Sequence, residues 1–356
     1  MESLRLALVN AYLMRFPLVS RRSPMKTVAA RMIVVCLMLC LVVKPCVAWH
    51  EPGHHIVALL AYDLLSQHER QQLQAILRKH PRRQEDFAAP ASKSSNSENA
   101  KPLTLEENER WVMGRAGYWP DVARAQPNYN RPSWHYQLGA TLTIGDPPNV
   151  PQNPGPAPAT ATLETLELHI AQAVEVCRAV LRDKSRSTSD RAIAICWLVH
   201  LVGDAHQPCH AGSLYVAGAF SEGDRGANSI PTKQSKNLHA LWDGLLGSQY
   251  DSGDIRRRCG VIRAESSRWT AAEAAAKKEN GLNPLTWLSE SAEVGRSHVY
   301  TPEVLEPVQA VARGLTTTVA VTELSDGYLT SAGDVARKQA ALAGHRLALI
   351  LSQDLR

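Results

Sequence analysis

The sequence predicts an all-α fold, a single helical domain with long surface loops around a cleft of metal ligands. Apolar residues recur at the spacing of an α-helix in several long segments, and no stretch alternates like a strand for more than a few residues. Histidines and aspartates stand four residues apart in two places, which puts each pair on one helical face. These observations together favour helices that converge on a metal site.

The first 48 residues have the pattern of a secretory signal segment. Lys26 and Arg31 precede an apolar run from Ile33 to Val43, and Cys46-Val47-Ala48 places a small residue before Trp49. A basic region, an apolar region and a small residue are the parts of a cleaved signal peptide, and the run is too short for a membrane span. We therefore expect cleavage directly before Trp49.

Residues 49–356 are then expected to form one exported domain, secreted or released to the periplasm or the extracellular space. The context of Cys46 is poor for lipid attachment, so we expect no stable membrane association. We also expect the protein to be a monomer. The start of the chain stays open between Met1 and Met25. With the second start, residues 1–24 are an upstream extension.

Loss of the signal segment also removes the excess of positive over negative charge. It holds seven of the 39 Lys and Arg residues but one of the 34 Asp and Glu residues, which leaves 32 basic and 33 acidic residues. The formal net charge of +5 therefore falls to about −1. A chain with this balance does not bind polyanions through its overall charge, so any nucleic acid must be recognised at a local site.

Four of the seven cysteines follow the signal segment, and two interpretations of them stay open. An exported protein permits two disulfides, in any of three connectivities. Buried free thiols are the alternative, and two of the four lie in apolar helical patterns. The cysteines are Cys177, Cys196, Cys209 and Cys259.

Four segments carry the apolar period of a helix. The first runs from Gly53 to Leu64, and the second from Leu163 to Cys177. The third, Ala192 to Val202, is strongly apolar. The last, Asp334 to Leu351, is rich in Ala, Leu, Arg and Lys, which are strong helix formers.

Three segments are predicted surface loops. Ala89 to Pro102 is rich in Ser, Asn and Lys, and Asp146 to Pro158 contains six prolines, so neither composition can pack a core. Ala211 to Lys236 is a polar, glycine-bearing loop between two groups of candidate ligands. Candidate ligands lie on both sides of the first two loops, so we interpret these two as insertions in one domain.

The candidate ligands are concentrated in two helical pairs. His200 and Asp204 lie four residues apart, about 6 Å along a helix axis and on one face. His239 and Asp243 repeat this arrangement, and His210 follows after a turn that contains proline. One such pair is common by chance, but two pairs with a further histidine are hard to explain by chance.

The mixture of ligands indicates the metal and the chemistry. Neutral imidazoles together with carboxylates suit zinc, whereas sets of oxygen ligands alone suit calcium or magnesium. A carboxylate in the middle of the set can bridge two ions. Two ions can clamp the attacking and leaving oxygens of a phosphoryl group and lower the pKa of a bridging water. The pattern therefore predicts hydrolysis assisted by several metal ions.

Five short motifs occur in order along the chain: Trp49-x3-Gly-His54, Trp119-Pro-Asp121-x2-Arg124, Trp134-His135-Tyr136, His200-x3-Asp204-x5-His210 and Asn237-Leu-His239-x2-Trp-Asp243. In these motifs the chain resembles the zinc-dependent S1/P1 nucleases, which share a fold with bacterial zinc phospholipases C. The resemblance covers essentially all of residues 49–356. It implies a phospholipase C/P1 nuclease-like fold around a cleft that holds three zinc ions.

The resemblance also implies which residues bind the metal. Asp204 would bridge the first two ions as a shared carboxylate. The first ion would be held by the α-amino and carbonyl groups of Trp49 with His54 and Asp204, the second by Asp121, His135, His200 and Asp204, and the third by His210, His239 and Asp243.

The same resemblance implies a reaction, the cleavage of 3′-O–P bonds in single-stranded DNA, RNA and 3′-nucleotides to leave 5′-phosphates. Water held between the first two ions, near Asp121 and Asp204, would attack phosphorus. Arg124 matches an arginine that stabilises the transition state, and it is equally expected to pair with Asp121. Tyr136 and Asn228 match positions that contact the substrate.

Two segments depart from the family pattern. The family usually has Asp or Asn two residues beyond the aromatic residue of Trp-His-Tyr, where this chain has Gln137-Leu138-Gly139. The family loop Asp-x-Gly-Gly-Asn appears here as Asp224-Arg225-Gly226-Ala227-Asn228. The ligands are intact, so the reaction class is predicted more firmly than the preferred base or sugar.

Other residues near the motifs have simpler interpretations. His50 and His55 are expected on the surface of a helix. His206 is expected beside the ligands, where it would orient a ligand carboxylate. Trp197 and Trp242 are expected to pack in the core.

Two other functions stay open. The first is a zinc phospholipase C on the same scaffold, although those enzymes resemble one another in having Glu at the position of Asp243, and no segment has the pattern of a lipid anchor. The second is a zinc-binding protein without catalysis. The complete ligand set and Arg124 argue against it.

Overall fold

The fold is taken from a computed structural model, which describes residues 49–88 and 103–356. The predicted signal segment and the predicted loop Ala89 to Pro102 lie outside the described residues, so both stay predictions. Where the chain is described it is mainly helical, which confirms the all-α fold class. No helix in these two ranges is both long and apolar enough to cross a membrane.

Twelve α-helices and two short β-strands occur in the described ranges. The helices are α1 (Glu51–Leu64), α2 (Gln67–Leu77), α3 (Arg83–Asp86), α4 (Leu105–Val122), α5 (Ile170–Arg182), α6 (Thr188–Ala205), α7 (Leu238–Gly244), α8 (Ser252–Ala264), α9 (Ser266–Ala276), α10 (Pro284–Val294), α11 (Pro302–Ala312) and α12 (Asp326–Asp354). The strands are β1 (Ala140–Ile144) and β2 (Ser213–Val216).

Helix α6 lies inside the core and carries two of the predicted ligands. Its start is capped by Ser187, whose Oγ accepts a hydrogen bond from the backbone N–H of Asp190. Every residue from Ala194 to Ala205 is buried, because α6 packs against α4 and α5 and also contacts α1 and α12. A helix that is apolar all round must be enclosed, so its polar residues His200 and Asp204 are enclosed with it.

Helix α1 is held between α4 and α12, and one close approach fixes its position. A Cβ added to Gly344 of α12 would lie 2.8 Å from the Cβ of Leu60, so only glycine allows this packing. The approach seats α1 against the core, with Ile56, Val57 and Leu60 fully buried. The predicted helices from Gly53 and from Asp334 are confirmed within α1 and α12.

The predicted helix from Leu163 to Cys177 is wrong in its first half, because α5 begins at Ile170. The carbonyl groups before it accept hydrogen bonds from side chains instead of continuing a helix. Those of Leu163 and Leu166 accept from Arg131 Nε and Ser133 Oγ. Tertiary contacts therefore override the local apolar period. Asp146 to Pro158 forms no helix or strand, as predicted.

The two strands were not expected from the sequence, and one of them lies in the predicted loop Ala211 to Lys236. They pair in parallel over only five and four residues, too short for an alternating pattern to stand out. The pairing joins two segments that carry candidate ligands. The backbone N–H of Gln137 donates to the carbonyl of His210 at 2.8 Å, which ties the segment after His135 to that of His210.

The side chains assigned to the core behave as predicted. Trp197 and Trp242 are 1% and 0% exposed. Cys177, Cys196 and Cys259 are buried free thiols. The four cysteines after the signal segment therefore do not form two disulfides.

Candidate metal centre

The carboxylate of Asp204 lies where three histidines meet. Its Oδ1 is 3.5 Å from Nε2 of His54 on α1. Its Oδ2 is 3.3 Å from Nδ1 of His135, in the short 3-10 turn Pro132–His135, and 3.2 Å from Nε2 of His200, one turn earlier on α6. All four side chains are almost completely buried. Asp204 therefore has the central position that a bridging ligand requires.

Asp121 joins the same set from the end of α4. Its Oδ1 is 4.0 Å from Nδ1 of His135 and accepts a hydrogen bond from Nε of Arg124 at 2.8 Å, which confirms the predicted ion pair. Asp121 offers a ligand atom within 4.8 Å of others from His54 and His200. We call this set the inner group: His54, Asp121, His135, His200 and Asp204.

Three further predicted ligands form an outer group, composed of His210, His239 and Asp243. Helix α7 presents His239 and Asp243 on one face, with Nε2 and Oδ2 3.3 Å apart, as their spacing predicted. Nε2 of His210 lies 3.2 Å from Nε2 of His239. The three ligand atoms fall within 4.8 Å of one another.

Backbone carbonyls orient three of these imidazoles. A carbonyl oxygen can only accept, so the ring nitrogen that faces it carries the hydrogen, and the other nitrogen is left to bind a metal. Each ring uses Nδ1 for this contact and directs Nε2 inward. The pairs are His200 with Gly117 (2.8 Å), His210 with His135, and His239 with Gly226 (2.5 Å).

Several buried polar atoms of the inner group have no hydrogen-bond partner among the described residues. A buried polar atom without a partner costs roughly 1–3 kcal/mol, which is difficult to explain for a whole cluster unless a cation satisfies it. Imidazole nitrogens with carboxylate oxygens are the donor set of zinc, so the residues fit that ion. The atoms are both ring nitrogens of His54, Nε2 of His135, Oδ2 of Asp121 and both carboxylate oxygens of Asp204.

The electrostatics of the cluster also suit a cation. Burial lowers the pKa of His54, His135 and His210 well below the usual range, which keeps these rings in the neutral form that binds metal. Burial raises the pKa of Asp204 to about 6, with partial compensation by His200. A bound divalent ion would reverse this effect and favour the carboxylate.

Trp49 is placed beside the inner group by its side chain. The buried indole donates a hydrogen bond from Nε1 to the carbonyl of Gly203, the residue before Asp204, at 3.0 Å. A Cβ added to Gly53 would lie 2.7 Å from the Cβ of Trp49, so glycine allows the chain to turn tightly there. The predicted ligation through the backbone of Trp49 stays a prediction.

Sequence reasoning missed Gln207, which connects the ligand segment of α6 to the outer group. Its Nε2 donates to Oδ1 of Asp243 at 2.6 Å, and its Oε1 accepts from the backbone N–H of Cys209 at 2.6 Å. Gln207 is completely buried, and its hydrogen bond leaves Oδ2 of Asp243 as the oxygen near His239. Its place inside the His-x3-Asp-x5-His motif was the only available signal.

The predicted role of His206 is wrong. Its Nδ1 donates to the carbonyl of Val202 at 2.7 Å, and its Nε2 lies 2.9 Å from Nη1 of Arg346. The ring packs near Trp287, so it holds α12 against α6 and does not orient a ligand carboxylate.

The predicted surface positions of His50 and His55 are also wrong. His55 is 2% exposed and packs against the rings of Trp111 and Tyr250, because α1 is enclosed on nearly every side. His50 is half-buried, and its backbone N–H donates to the carbonyl of Asp243 at 3.0 Å, which ties the start of α1 to the outer group.

The predicted substrate contacts lie at more open positions. Tyr136 is 41% exposed and makes an edge-on contact with the ring of His169, 5.4 Å between centroids. Asn228 is half-buried, donates to the carbonyl of Arg225 at 2.9 Å and accepts from Asn237 at 3.3 Å. Gln137, in the segment that departs from the family pattern, is buried.

The loop that holds Gly226 has a demanding backbone. Arg225, Gly226 and Ala227 have φ values of 61°, 62° and 67°, all in the left-handed region that favours glycine. A Cβ on Gly226 would lie 2.3 Å from the carbonyl oxygen of Cys209. The buried Asp224 anchors the loop, because it accepts hydrogen bonds from the backbone N–H of Leu214 and other donors.

Comparisons with known proteins identify the family. The family model described as S1/P1 Nuclease matches residues 49–356. The chain is similar to Endonuclease 3 and Endonuclease 4 of Arabidopsis thaliana, with 28% and 26% identity over 164 residues. Each match covers 45% of this chain and 50% of the relative, so the chain spans about half the length of the curated relatives it matches. The chain belongs to the S1/P1 nuclease family.

Proposed function

We propose that the protein is a secreted, zinc-dependent nuclease that cleaves 3′-O–P bonds of single-stranded DNA, RNA and 3′-nucleotides and leaves 5′-phosphates. The observation that carries the proposal is the buried carboxylate of Asp204 among three histidines, beside the Asp121–Arg124 ion pair. Family membership and the names of the two relatives support a nuclease. The signal pattern before Trp49 supports secretion.

Nine residues would hold three zinc ions in this proposal. The inner group with Trp49 would hold two, and the outer group one. When bound, the ions supply Lewis acids that lower the pKa of water and neutralise phosphate charge. Burial keeps the imidazoles of His54, His135 and His210 neutral, and backbone carbonyls fix the direction of the rings of His200, His210 and His239.

Arg124 is the side chain best placed to stabilise the negative charge that develops on the phosphoryl oxygens in the transition state. Its Nε is engaged with Asp121, while the buried Nη2 has no hydrogen-bond partner among the described residues. A guanidinium is always charged and presents donors in a rigid plane, which suits a phosphoryl oxygen. Asp121 fixes that plane beside the ligands, so one carboxylate would both bind metal and orient Arg124.

Tyr136 supports a preference for unpaired bases. Its ring is exposed directly after the ligand His135, and base stacking on such a ring contributes about 1–3 kcal/mol per base. A base inside a duplex cannot offer its face to a protein ring without leaving the stack. Asn228 would add polar contacts to the same substrate.

The proposal is tested with purified protein that begins at Trp49, assayed on single-stranded DNA, duplex DNA, RNA, 3′-AMP and phosphatidylcholine. We expect cleavage of the single-stranded substrates and of 3′-AMP, with 5′-phosphate ends in the oligonucleotide products by mass spectrometry. Cleavage of the lipid alone would show a phospholipase C. A fully zinc-loaded protein that cleaves none of them would show a binding protein without catalysis.

His200→Ala is the variant that links activity to the inner group. It removes one of the three imidazoles beside Asp204, so we expect turnover to fall by several orders of magnitude. His68→Ala, an exposed histidine on α2, is the matched control and should keep normal turnover. Near-normal turnover of His200→Ala would contradict the metal assignment.

A further inference from the structure

A cavity of about 490 Å³ is lined by residues that adjoin the outer group in the sequence. Asn237 lines it and also caps α7, since its Oδ1 accepts from the backbone N–H of Ala240 at 2.8 Å. Asn228 lines it two residues after Gly226, whose carbonyl orients His239. We call this cavity the side pocket and define it by Phe220, Asn228, Lys236, Asn237, Val311 and Thr318.

The side pocket has one aromatic ring in a fixed position. Phe220 is half-buried and closes a tight turn after β2, because its N–H donates to the carbonyl of Val216 at 2.8 Å and its carbonyl accepts from Val216 at 3.1 Å. Val311 at the end of α11 adds apolar surface to the wall. These bonds fix the backbone that carries Phe220, and its side chain supplies an aromatic group to the lining of the side pocket.

The charge of the side pocket is positive. None of the described residues that line it carries a carboxylate, and Lys236 is exposed with no ion pair in the described ranges. The remaining lining groups are hydroxyls and amides, among them Ser229 and Thr318. A divalent cation would find no carboxylate here, and a purely apolar ligand would leave the polar groups without partners.

We propose that the side pocket binds a second nucleotide of a single-stranded substrate, with its base against Phe220 and its phosphate at Lys236. The inference rests on the proposed function and extends it from one nucleotide at the metals to a longer strand. A volume of about 490 Å³ lies within the range of small-ligand pockets. An aromatic ring beside a cation is the combination that binds single strands without a sequence code.

The test compares a long and a short substrate on the zinc-loaded enzyme. The long substrate is a single-stranded DNA dodecamer, and the short one is bis(4-nitrophenyl) phosphate, which has no nucleotide to place in the side pocket. Stacking on one ring changes affinity by roughly 5–100-fold, so Phe220→Leu should raise KM for the dodecamer about tenfold. Both kcat and KM for the short ester should stay within about twofold of wild type, since the metal ligands are untouched.

Lys236→Met should likewise raise KM for the dodecamer and weaken its dependence on salt. Lys233→Met is the matched control, because Lys233 lies three residues away and pairs with Glu323 at 2.5 Å outside the pocket. Phe220→Tyr should restore the wild-type KM by restoring the ring. Equal changes for both substrates, no change for either, or the same effect from Lys233→Met would overturn the proposal.

Failure of the proposed function has a different signature. If the wild-type enzyme cleaves neither substrate, binding of a fluorescent phosphorothioate dodecamer still tests the side pocket by anisotropy. About tenfold weaker binding by Phe220→Leu and Lys236→Met would then support the pocket without the nuclease activity. Unchanged binding by both variants would overturn the pocket, whether or not the enzyme cleaves nucleic acid.

Discussion

Nε2 of His210 and Nε2 of His239 lie 3.2 Å apart, although each ring donates its Nδ1 hydrogen to a backbone carbonyl. In their neutral forms neither Nε2 carries a hydrogen, so two lone pairs face each other, which is unfavourable without a cation. Two nitrogens that bind one tetrahedral zinc, each at a Zn–N distance of about 2.0–2.1 Å, lie about 3.3 Å from each other. The outer group therefore has the geometry of ligands that share an ion.

Gln207 gives the first prediction, because it holds the carboxylate of Asp243. Gln207→Met keeps the length of the side chain but removes the hydrogen bond to Oδ1. We expect the affinity of one of the three ions to fall by roughly 10–100-fold, as for other residues that orient ligands. Competition with a fluorescent zinc chelator measures this. Gln71→Met, on the exposed face of α2, is the control, and equal zinc affinities in both variants would contradict the role.

A pair of glycines tests the loop that orients His239. Gly226 and Gly314 have φ values of 62° and 71°, so both lie in the left-handed region. A Cβ added to Gly226 would clash with the carbonyl oxygen of Cys209, whereas a Cβ added to Gly314 would meet no atom within 4 Å. Gly314→Ala should destabilise by about 1 kcal/mol with no loss of metal. Gly226→Ala should destabilise by about 2 kcal/mol or more and lose one ion per chain. Urea unfolding and zinc analysis measure both, and similar results for the two variants would refute the loop argument.

Asp224 predicts a dependence of stability on pH. Burial raises the pKa of Asp224 to about 6, above the ordinary value of 3.8. At a pH between these two values, the carboxyl is protonated in the folded protein and ionised in the unfolded chain. Stability from this group is therefore present at low pH and is lost as pH rises through about 6, by at most about 3 kcal/mol. Asp224→Asn does not titrate there.

Urea unfolding of the metal-free protein and of Asp224→Asn, between pH 4.5 and 7, isolates this contribution. We expect the wild-type protein to lose stability relative to the variant as the pH rises. Because the other titrating groups are common to both proteins, their effects cancel in the difference. A difference in unfolding free energy that stays constant over this range would show that Asp224 has an ordinary pKa.

The α-amino group of Trp49 gives a prediction about processing. Its unperturbed pKa is near 8, so a nearby zinc can displace the proton. One alanine retained before Trp49 converts this amine into an amide, and we expect weaker binding of one ion with at least a tenfold loss of activity. Trp49→Phe at the first position keeps the amine and should keep the ion, although it loses the bond to Gly203. Full zinc content and activity in the extended protein would contradict the idea.

Much of the centre was predictable because its signals are local in the sequence. The spacing of His200 and Asp204, and of His239 and Asp243, places each pair on one helical face before any tertiary contact is known. The apolar run of α6 likewise predicts burial. The ordered motifs added the remaining ligands through the family resemblance.

The errors have a common physical cause, which is contact between distant segments. The start of α5 moves to Ile170 because Arg131 and Ser133 use the preceding carbonyls. His206 contacts Arg346, 140 residues away, and Gln207 reaches Asp243 across 36 residues. No local period or spacing encodes such partners.

The most direct test of the account is a crystal structure of the protein that begins at Trp49, with anomalous diffraction recorded on both sides of the zinc absorption edge. We predict three zinc peaks per chain, one on each side of the Asp204 carboxylate and one between His210, His239 and Asp243. A well-ordered, active crystal form with no anomalous peak beside Asp204 would contradict the assignment of these residues as a metal centre.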